Sequence, residues 1–158
     1  MAIVVNSKTK LTYSDYVLLP DDGKTHEIID GDHYMTPAPE TYHQTLSRRL
    51  QFELYRQIEE TGLGVVYNAP SDVQLSETDI VQPDIFVIQA SRTSIISPTK
   101  ILGPPDLIIE ILSGSTTTKD RKLKLDLYQK SGVPEYWLVD PESHSIEVRK
   151  LRQGEYRL

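Results

Sequence analysis

Two apolar segments of the sequence each begin with proline and aspartate, and the second carries a glutamate in its interior. The first is VQPDIFVIQ, residues 81–89, and the second is PPDLIIEILS, residues 104–113. Both have the length and composition of buried β-strands. An ionised carboxylate at Glu110, between isoleucines, must be neutralised, paired or bound to a metal, because an isolated buried charge is very costly. Any fold of this chain must therefore bring a compensating group to Glu110.

A divalent cation is one group that would compensate this charge. Asp84 lies at the start of the first segment and Glu110 lies deeper in the second. If the two strands are neighbours, both carboxylates converge, and they repel each other unless a cation lies between them. Such oxygen ligands suit Mg²⁺ or Mn²⁺, which takes one or two protein carboxylates and keeps several waters. The alternative is that Asp84 only caps its strand and Glu110 pairs with a lysine or arginine, and the pattern alone leaves both open.

The segment after Glu110 predicts a helix over residues 118–130, stopped by glycine and proline. Asp120, Lys124 and Tyr128 recur every four residues and therefore share one face of this helix. If the helix folds back over the strand, Lys124 approaches the two carboxylates. The alternative is an ordinary exposed pair between Asp120 and Lys124, worth about 0.2 to 0.5 kcal/mol, and the helix considered alone favours it.

The remaining pattern predicts an α+β fold with a mixed β-sheet. Strands outnumber helices and most are joined by turns. A helix over 13–18 and a hairpin around Asp30-Gly31 open the chain, and a longer helix over 40–60 has an apolar stripe at a spacing of four, Leu46, Leu50, Leu54 and Ile58. Strands are expected around residues 65–68, 73–75, 84–88, 106–112, 135–140 and 145–151, with a loop over 91–103.

Composition restricts the classes of function. The chain has 158 residues, which fits one domain over residues 1–158, and the final GEYRL resembles a strand that is just beginning, as if the C-terminus were short. It has no cysteine, which is compatible with a reducing cytoplasm, and no apolar run long enough to span a membrane. A net charge of −6 argues against a broad basic surface that coats nucleic acid, but leaves room for a local basic patch.

These residues resemble the PD-(D/E)XK nuclease superfamily and, more closely, the Uma-type restriction endonuclease family that is common in cyanobacteria. The resemblance rests on a strand opened by PD, an acidic residue in the following strand and a lysine nearby. It extends from about Thr12 to Pro141, and its pieces are HEIIDG, the helix near His43, VQPDIFVI, PPDLIIEILSGST and KDRKLKLDLYQKSGVPEYWLVDP. The resemblance implies a restriction-endonuclease-like core, in which helices flank a mixed sheet.

The resemblance also implies roles for individual residues. Asp84 and Glu110 would be metal ligands, together with the backbone carbonyl of Ile111. Lys124 would be the catalytic lysine, displaced from the strand to the following helix, which accounts for the absence of a lysine two positions after Glu110. Glu27 would be the additional acidic residue near the site, and it would either bind a second metal or hold Lys124 in place.

The implied function is a Mg²⁺-dependent (or Mn²⁺-dependent) endonuclease that hydrolyses phosphodiester bonds in DNA and acts as a homodimer. The alternative is a catalytically silent module of the same fold that serves in binding or assembly. The joint presence of all four polar residues favours the enzyme, whereas the acidic net charge and the lack of a separate DNA-reading motif oppose it. A glycosidase with a carboxylate pair ranks below both, because it gives Lys124 no role.

Several other polar and aromatic residues fit a structural role as well as a functional one. His43 has either a structural hydrogen bond at its helix start or a place in the site. For Tyr128, Tyr136 and Trp137 we expect packing rather than stacking on bases. A solvated helix face is the default for the basic residues Arg48, Arg49, Lys119, Arg121, Lys122 and Lys130, although each could contact phosphates.

Overall fold

A computed structural model describes residues 9–158, which form two mixed β-sheets with α-helices packed against them. The elements, in chain order, are α1 Tyr13–Tyr16, β1 Thr25–Ile29, β2 Asp32–Thr36, α2 Thr41–Leu54 with a π-helical continuation Tyr55–Glu59, β3 Gly64–Asn68, β4 Val73–Ser76, β5 Asp79–Val81, β6 Ile85–Gln89, a 3₁₀ helix Ala90–Ile95, β7 Ile101–Leu102, β8 Leu107–Ile111, α3 Thr118–Ser131, β9 Glu135–Asp140, β10 Ser145–Arg152 and β11 Glu155–Arg157.

The strands form two sheets, and the chain passes from one sheet to the other several times. The first sheet has the order β2-β1-β5-β4-β7 and the second has the order β11-β10-β9-β8-β6-β3. Each contains one parallel pair, β4–β7 and β8–β9, among antiparallel ones, so the predicted α+β class with a mixed sheet is confirmed. The division itself was not predicted. One of the crossings, from β5 to β6, falls between Val81 and Ile85, where Pro83 has no N–H to continue a ladder.

The helices α2 and α3 cover opposite faces of the second sheet. The apolar stripe of α2, which is Leu46, Leu50 and Leu54, packs with Ile85 and Ile109. Leu127 and Tyr128 of α3 belong to a different cluster, with Phe86 and Ile108. Because side chains alternate along a strand, residues 85 and 86, or 108 and 109, point to opposite faces. The sheet is therefore enclosed by α2 on one side and by α3 and the first sheet on the other.

Local predictions succeed where a turn residue fixes the backbone. Asp30 and Gly31 both have positive φ angles, 49° and 76°, as a two-residue hairpin turn between β1 and β2 requires. The stretch predicted as a loop over 91–103 is only partly a loop, since it contains most of the 3₁₀ helix and β7. The short strand β5 was not predicted. Within residues 9–158, no helix is long and apolar enough to cross a membrane.

Candidate active site

Asp84 and Glu110 come together because β6 and β8 are antiparallel neighbours. Ile85 lies opposite Ile109, and one further step of the same register brings Asp84 opposite Glu110. Opposed residues of an antiparallel pair project from the same face with Cβ atoms about 5 Å apart. The backbone N–H of Ile111 also donates a hydrogen bond of 2.7 Å to Asp84 Oδ2. The two strands are therefore neighbours, which is the condition that the sequence set for the two carboxylates to converge.

Lys124 bridges two carboxylates from different sheets, the buried Glu27 and the half-buried Glu110. Its Nζ lies 2.5 Å from Glu27 Oε2 and 3.2 Å from Glu110 Oε1. Burial alone would lower the pKa of Lys124, but the charges of Glu110 and Glu27 outweigh burial and raise the pKa above its ordinary value. Lys124 therefore stays protonated while both carboxylates hold it, and it joins β1, β8 and α3 at one point.

The start of α3 fixes the helix phase that directs Lys124 inward. Thr117 is the N-cap, its hydroxyl accepts from the Asp120 N–H, and Asp120 Oδ2 accepts from the Thr117 N–H, which completes a capping box. Gly132 ends the helix in a left-handed conformation with φ 79°. Because Asp120 serves the cap, the alternative pair between Asp120 and Lys124 is not formed.

Glu110 is held by the hydroxyl of Tyr128 as well as by Lys124. Tyr128 donates a hydrogen bond of 2.5 Å to the same Oε1 atom that accepts from Lys124. Burial raises the pKa of Glu110 to about 7, although the positive charge of Lys124 opposes this rise and the negative charges of Asp84 and Glu27 add to it. Glu110 therefore pairs with a lysine, as the alternative to a metal site expected. That lysine is Lys124, to which the resemblance gives the catalytic role.

Glu27 is fixed in place from its own sheet. It is buried on β1, and its Oε1 accepts a hydrogen bond of 3.1 Å from the backbone N–H of Gln82, in the segment that leads from β5 to β6. The Gln82 side chain in turn donates to Asp72 and to the Tyr16 hydroxyl. The first sheet therefore presents Glu27 Oε2 to Lys124 from a rigid support.

His43 reaches the site from the first turns of α2. Its Nε2 lies 3.2 Å from Asp84 Oδ2, and this hydrogen bond raises the pKa of His43 above its ordinary value, against the effect of burial. Its Nδ1 is buried without a hydrogen-bond partner in the described part of the chain. Asp84 Oδ2 thus accepts from both His43 and Ile111, which fixes the orientation of this carboxylate.

A cleft of about 1350 Å³ opens over these residues, with Glu27, Asp84, Glu110 and Lys124 in its lining. Within residues 9–158, Asp84 Oδ1 and Glu110 Oε2 make no hydrogen bond. Neither atom is fully buried, unlike His43 Nδ1. One oxygen of each carboxylate is therefore available to a ligand in the cleft. Two hard oxygen donors fit Mg²⁺ or Mn²⁺, which retain waters. In the same part of the chain no three His, Asp or Glu side chains form a metal cage.

The structure brings together all four side chains that the sequence singled out, and adds two more. Tyr128 and Tyr136 are buried in the core as expected, but the hydroxyl of Tyr128 also contacts Glu110. Its spacing of four from Lys124 was the available signal. His43, whose role the sequence left open, contacts Asp84. No local pattern could have shown this contact, because it depends on how α2 crosses the sheet.

Comparisons with known proteins agree with this fold. The sequence model of the family Uma2, described as "Putative restriction endonuclease", matches residues 13–158. A search of curated proteins finds no significant match. Among solved structures, the chain is similar to "a putative nuclease belonging to DUF820" from Anabaena variabilis ATCC 29413, with a TM-score of 0.79 and 22% identity over 93% of this chain and 83% of that chain. This likeness shows a shared fold. Because the family model spans nearly the whole sequence, the chain belongs to the Uma2 family of restriction-endonuclease-like proteins.

Proposed function

We propose that this protein is a Mg²⁺-dependent or Mn²⁺-dependent endonuclease that hydrolyses phosphodiester bonds in DNA. The observation that carries the proposal is Lys124, half-buried between Glu27 and Glu110, in an open cleft whose lining also includes Asp84. A structural ion pair needs one partner for each charge. Here three carboxylates share one lysine and one histidine, since Asp84 contacts His43, and Asp84 and Glu110 each keep one oxygen open to the cleft, which suits a divalent cation.

The metal-holding residues in this proposal are Asp84 and Glu110, with the backbone carbonyl of Ile111 as a third donor. When bound, a divalent ion would supply Lewis-acid polarisation of the phosphate and would acidify a bound water. The chain's own part is to hold the two carboxylates in fixed orientations. Asp84 is oriented by His43 and the Ile111 N–H, and Glu110 is oriented by Tyr128 and Lys124.

Lys124 acts as a fixed positive charge and hydrogen-bond donor. Its ammonium group has three N–H bonds, which face Glu27, Glu110 and, at the longest distance of 3.4 Å, the Tyr128 hydroxyl. The third contact is the weakest, so a phosphate oxygen or the attacking water would replace it first. Because Lys124 stays protonated, it stabilises charge that develops on the phosphate rather than removing a proton. Glu27 positions Lys124 and does not contact the substrate.

Cleavage of plasmid DNA with Mg²⁺ or Mn²⁺ tests the assignment. We expect nicking or linearisation by the wild type, and its loss in Asp84→Asn, in Glu110→Gln and in the presence of EDTA. Asp126→Asn, a change of an exposed acid on α3, is the matched control and should cut like the wild type. Circular dichroism should show that all variants are folded. Cleavage that persists in Asp84→Asn or Glu110→Gln would refute the assigned metal ligands.

The alternative, a catalytically silent module, predicts a different result in the same samples. In that case neither the wild type nor Asp126→Asn cuts DNA, and calorimetric titration with Mn²⁺ gives no heat of binding even with DNA present. The homodimer that the resemblance implies and the cytoplasmic location that the lack of cysteine fits stay predictions. Light scattering on the purified protein tests the first of them.

A further inference from the structure

The basic side chains of the described chain fall into two groups, those paired with an acid and those without such a pair. The paired ones are Lys10, Arg56, Arg92, Lys122, Lys124, Lys130 and Arg149. A pairing acid occupies the cation and competes with a phosphate for it. The cations without an ion pair are therefore the ones ready to bind an anionic partner.

Three cations of the second group line the cleft, Lys24, Arg48 and Arg121, and the two arginines are the ones suited to bidentate phosphate contacts. Arg48 is exposed on α2 and Arg121 is exposed on the first turns of α3, and neither forms an ion pair within residues 9–158. The two arginines reach the cleft from α2 and α3, the helices that cover opposite faces of the second sheet. Arg121 also borders a smaller hollow, together with Asp140 and Glu147.

The charge of the cleft floor makes such contacts necessary for a nucleic acid. Glu27, Asp84 and Glu110 lie at its base with one lysine among them, and the whole chain has a net charge of −6. The floor and the overall field both repel a polyanion, so attraction must come from local cations on the walls. Arginine suits this task because its planar guanidinium binds phosphate oxygens in a bidentate manner.

We propose that Arg48 and Arg121, from two different helices, bind backbone phosphates of DNA in the cleft and so hold the strand near the carboxylates. This inference rests on the proposed function, because it assigns the contacts by which that site takes its substrate. Phosphate contacts position a nucleic acid without reading its sequence. The arginines therefore set affinity and placement, and they leave the choice of cleavage sequence to other groups.

The chain supplies a matched control beside each arginine. Arg49 follows Arg48 on α2 and Lys122 follows Arg121 on α3, both are exposed, and neither lines the cleft. The experiment measures binding of a fluorescent DNA duplex by anisotropy, in EDTA so that nothing is cut, over a range of salt concentrations. The proteins are the full-length wild type and the variants Arg48→Ala, Arg49→Ala, Arg121→Ala and Lys122→Ala. The slope of log K against log salt counts the phosphates that are neutralised.

We expect the slope to fall by about 0.9 in Arg48→Ala and in Arg121→Ala, and to stay at the wild-type value in both controls. Equal slopes in all five proteins, or a wild type that binds no duplex at low salt, would overturn the inference. The same titrations are repeated with a single-stranded RNA probe. A fall in slope that appears with the RNA but not with duplex DNA would overturn the assignment to DNA. Since binding is measured without metal, the slopes can change as expected even if no cleavage is found, which separates this inference from the proposed function.

Discussion

Two lysines on α3 have the same chemistry and opposite surroundings. Lys122 is 74% exposed and lies 2.6 Å from Asp126, one turn further along the helix. Lys124 is 20% exposed and contacts two acids, Glu27 and Glu110, that lie 97 and 14 positions away in the sequence. Two positions along a helix are about 200° of rotation, so the helix turns one lysine to water and the other into the fold.

The comparison shows how burial decides what an ion pair contributes. An exposed pair at a spacing of four contributes about 0.3 to 0.5 kcal/mol, because water solvates both charges almost as well as they solvate each other. A buried charge that loses its partner costs about 3 to 5 kcal/mol, because no water replaces the partner. The pair at Lys122 is a feature of the surface, whereas the contacts of Lys124 connect both sheets to α3.

The substitution Lys124→Met should have the largest effect. It leaves Glu27 and Glu110 without their counter-charge, so we expect about 3 to 5 kcal/mol lower free energy of unfolding in urea at neutral pH, together with loss of DNA cleavage. Lys122→Met is the matched control on the same helix. It should change stability by less than about 0.5 kcal/mol and leave cleavage intact. Equal effects of the two substitutions would show that Lys124 is not buried between acids as described.

Removal of the Tyr128 hydroxyl should have a smaller effect. It distinguishes a role of Tyr128 in the site from packing in the core. Tyr128→Phe removes a hydrogen bond to the carboxylate of Glu110, and hydrogen bonds to charged groups contribute about 1.5 to 3 kcal/mol. Mn²⁺ binding, measured by calorimetry, should weaken by about 10- to 100-fold because Glu110 loses a group that orients it. Tyr156→Phe is the control, since the Tyr156 hydroxyl donates to the Val133 carbonyl, away from the site. Unchanged Mn²⁺ affinity in Tyr128→Phe would assign Tyr128 to packing alone.

Double-mutant cycles measure the coupling energy of each lysine with one acid, and these are the smallest effects that we expect. The coupling between Lys122 and Asp126 should be about 0.3 to 0.5 kcal/mol and should decrease as salt is added. The coupling between Lys124 and Glu27 should be about 2 to 3 kcal/mol and should respond little to salt. Urea unfolding at two salt concentrations measures both cycles. A salt-sensitive coupling at Lys124 would mean that water reaches this pair.

The sequence predicted those parts of the site that depend on short-range pattern. The isoleucines around Glu110 showed that the strand is buried, and the spacing of Lys124 and Tyr128 placed them on one face of α3. The proposal that Lys124 turns toward Glu110 came from the need to compensate a buried charge, and Glu27 came from the resemblance. The pattern alone left the role of each carboxylate open and favoured an exposed Lys124, and the resemblance supplied the roles.

The features that the sequence did not give depend on how distant segments pack. The contact of His43 with Asp84 requires the crossing of α2 over the second sheet, which no local pattern encodes. For Tyr128 the sequence favoured packing of the ring, although its spacing of four from Lys124 was a signal for the contact that its hydroxyl makes with Glu110. The division into two sheets depends on β5, which has only three residues and therefore too few to show a period of two.

The central claim is that Asp84 and Glu110 hold one divalent ion beside Lys124. A crystal structure of the wild type soaked in Mn²⁺, with anomalous data, tests it directly. The account predicts a single strong anomalous peak in the cleft, about 2.0 to 2.2 Å from one oxygen of each of the two carboxylates. A crystal saturated with Mn²⁺ that shows no peak there, or a peak held by other residues, would contradict the account.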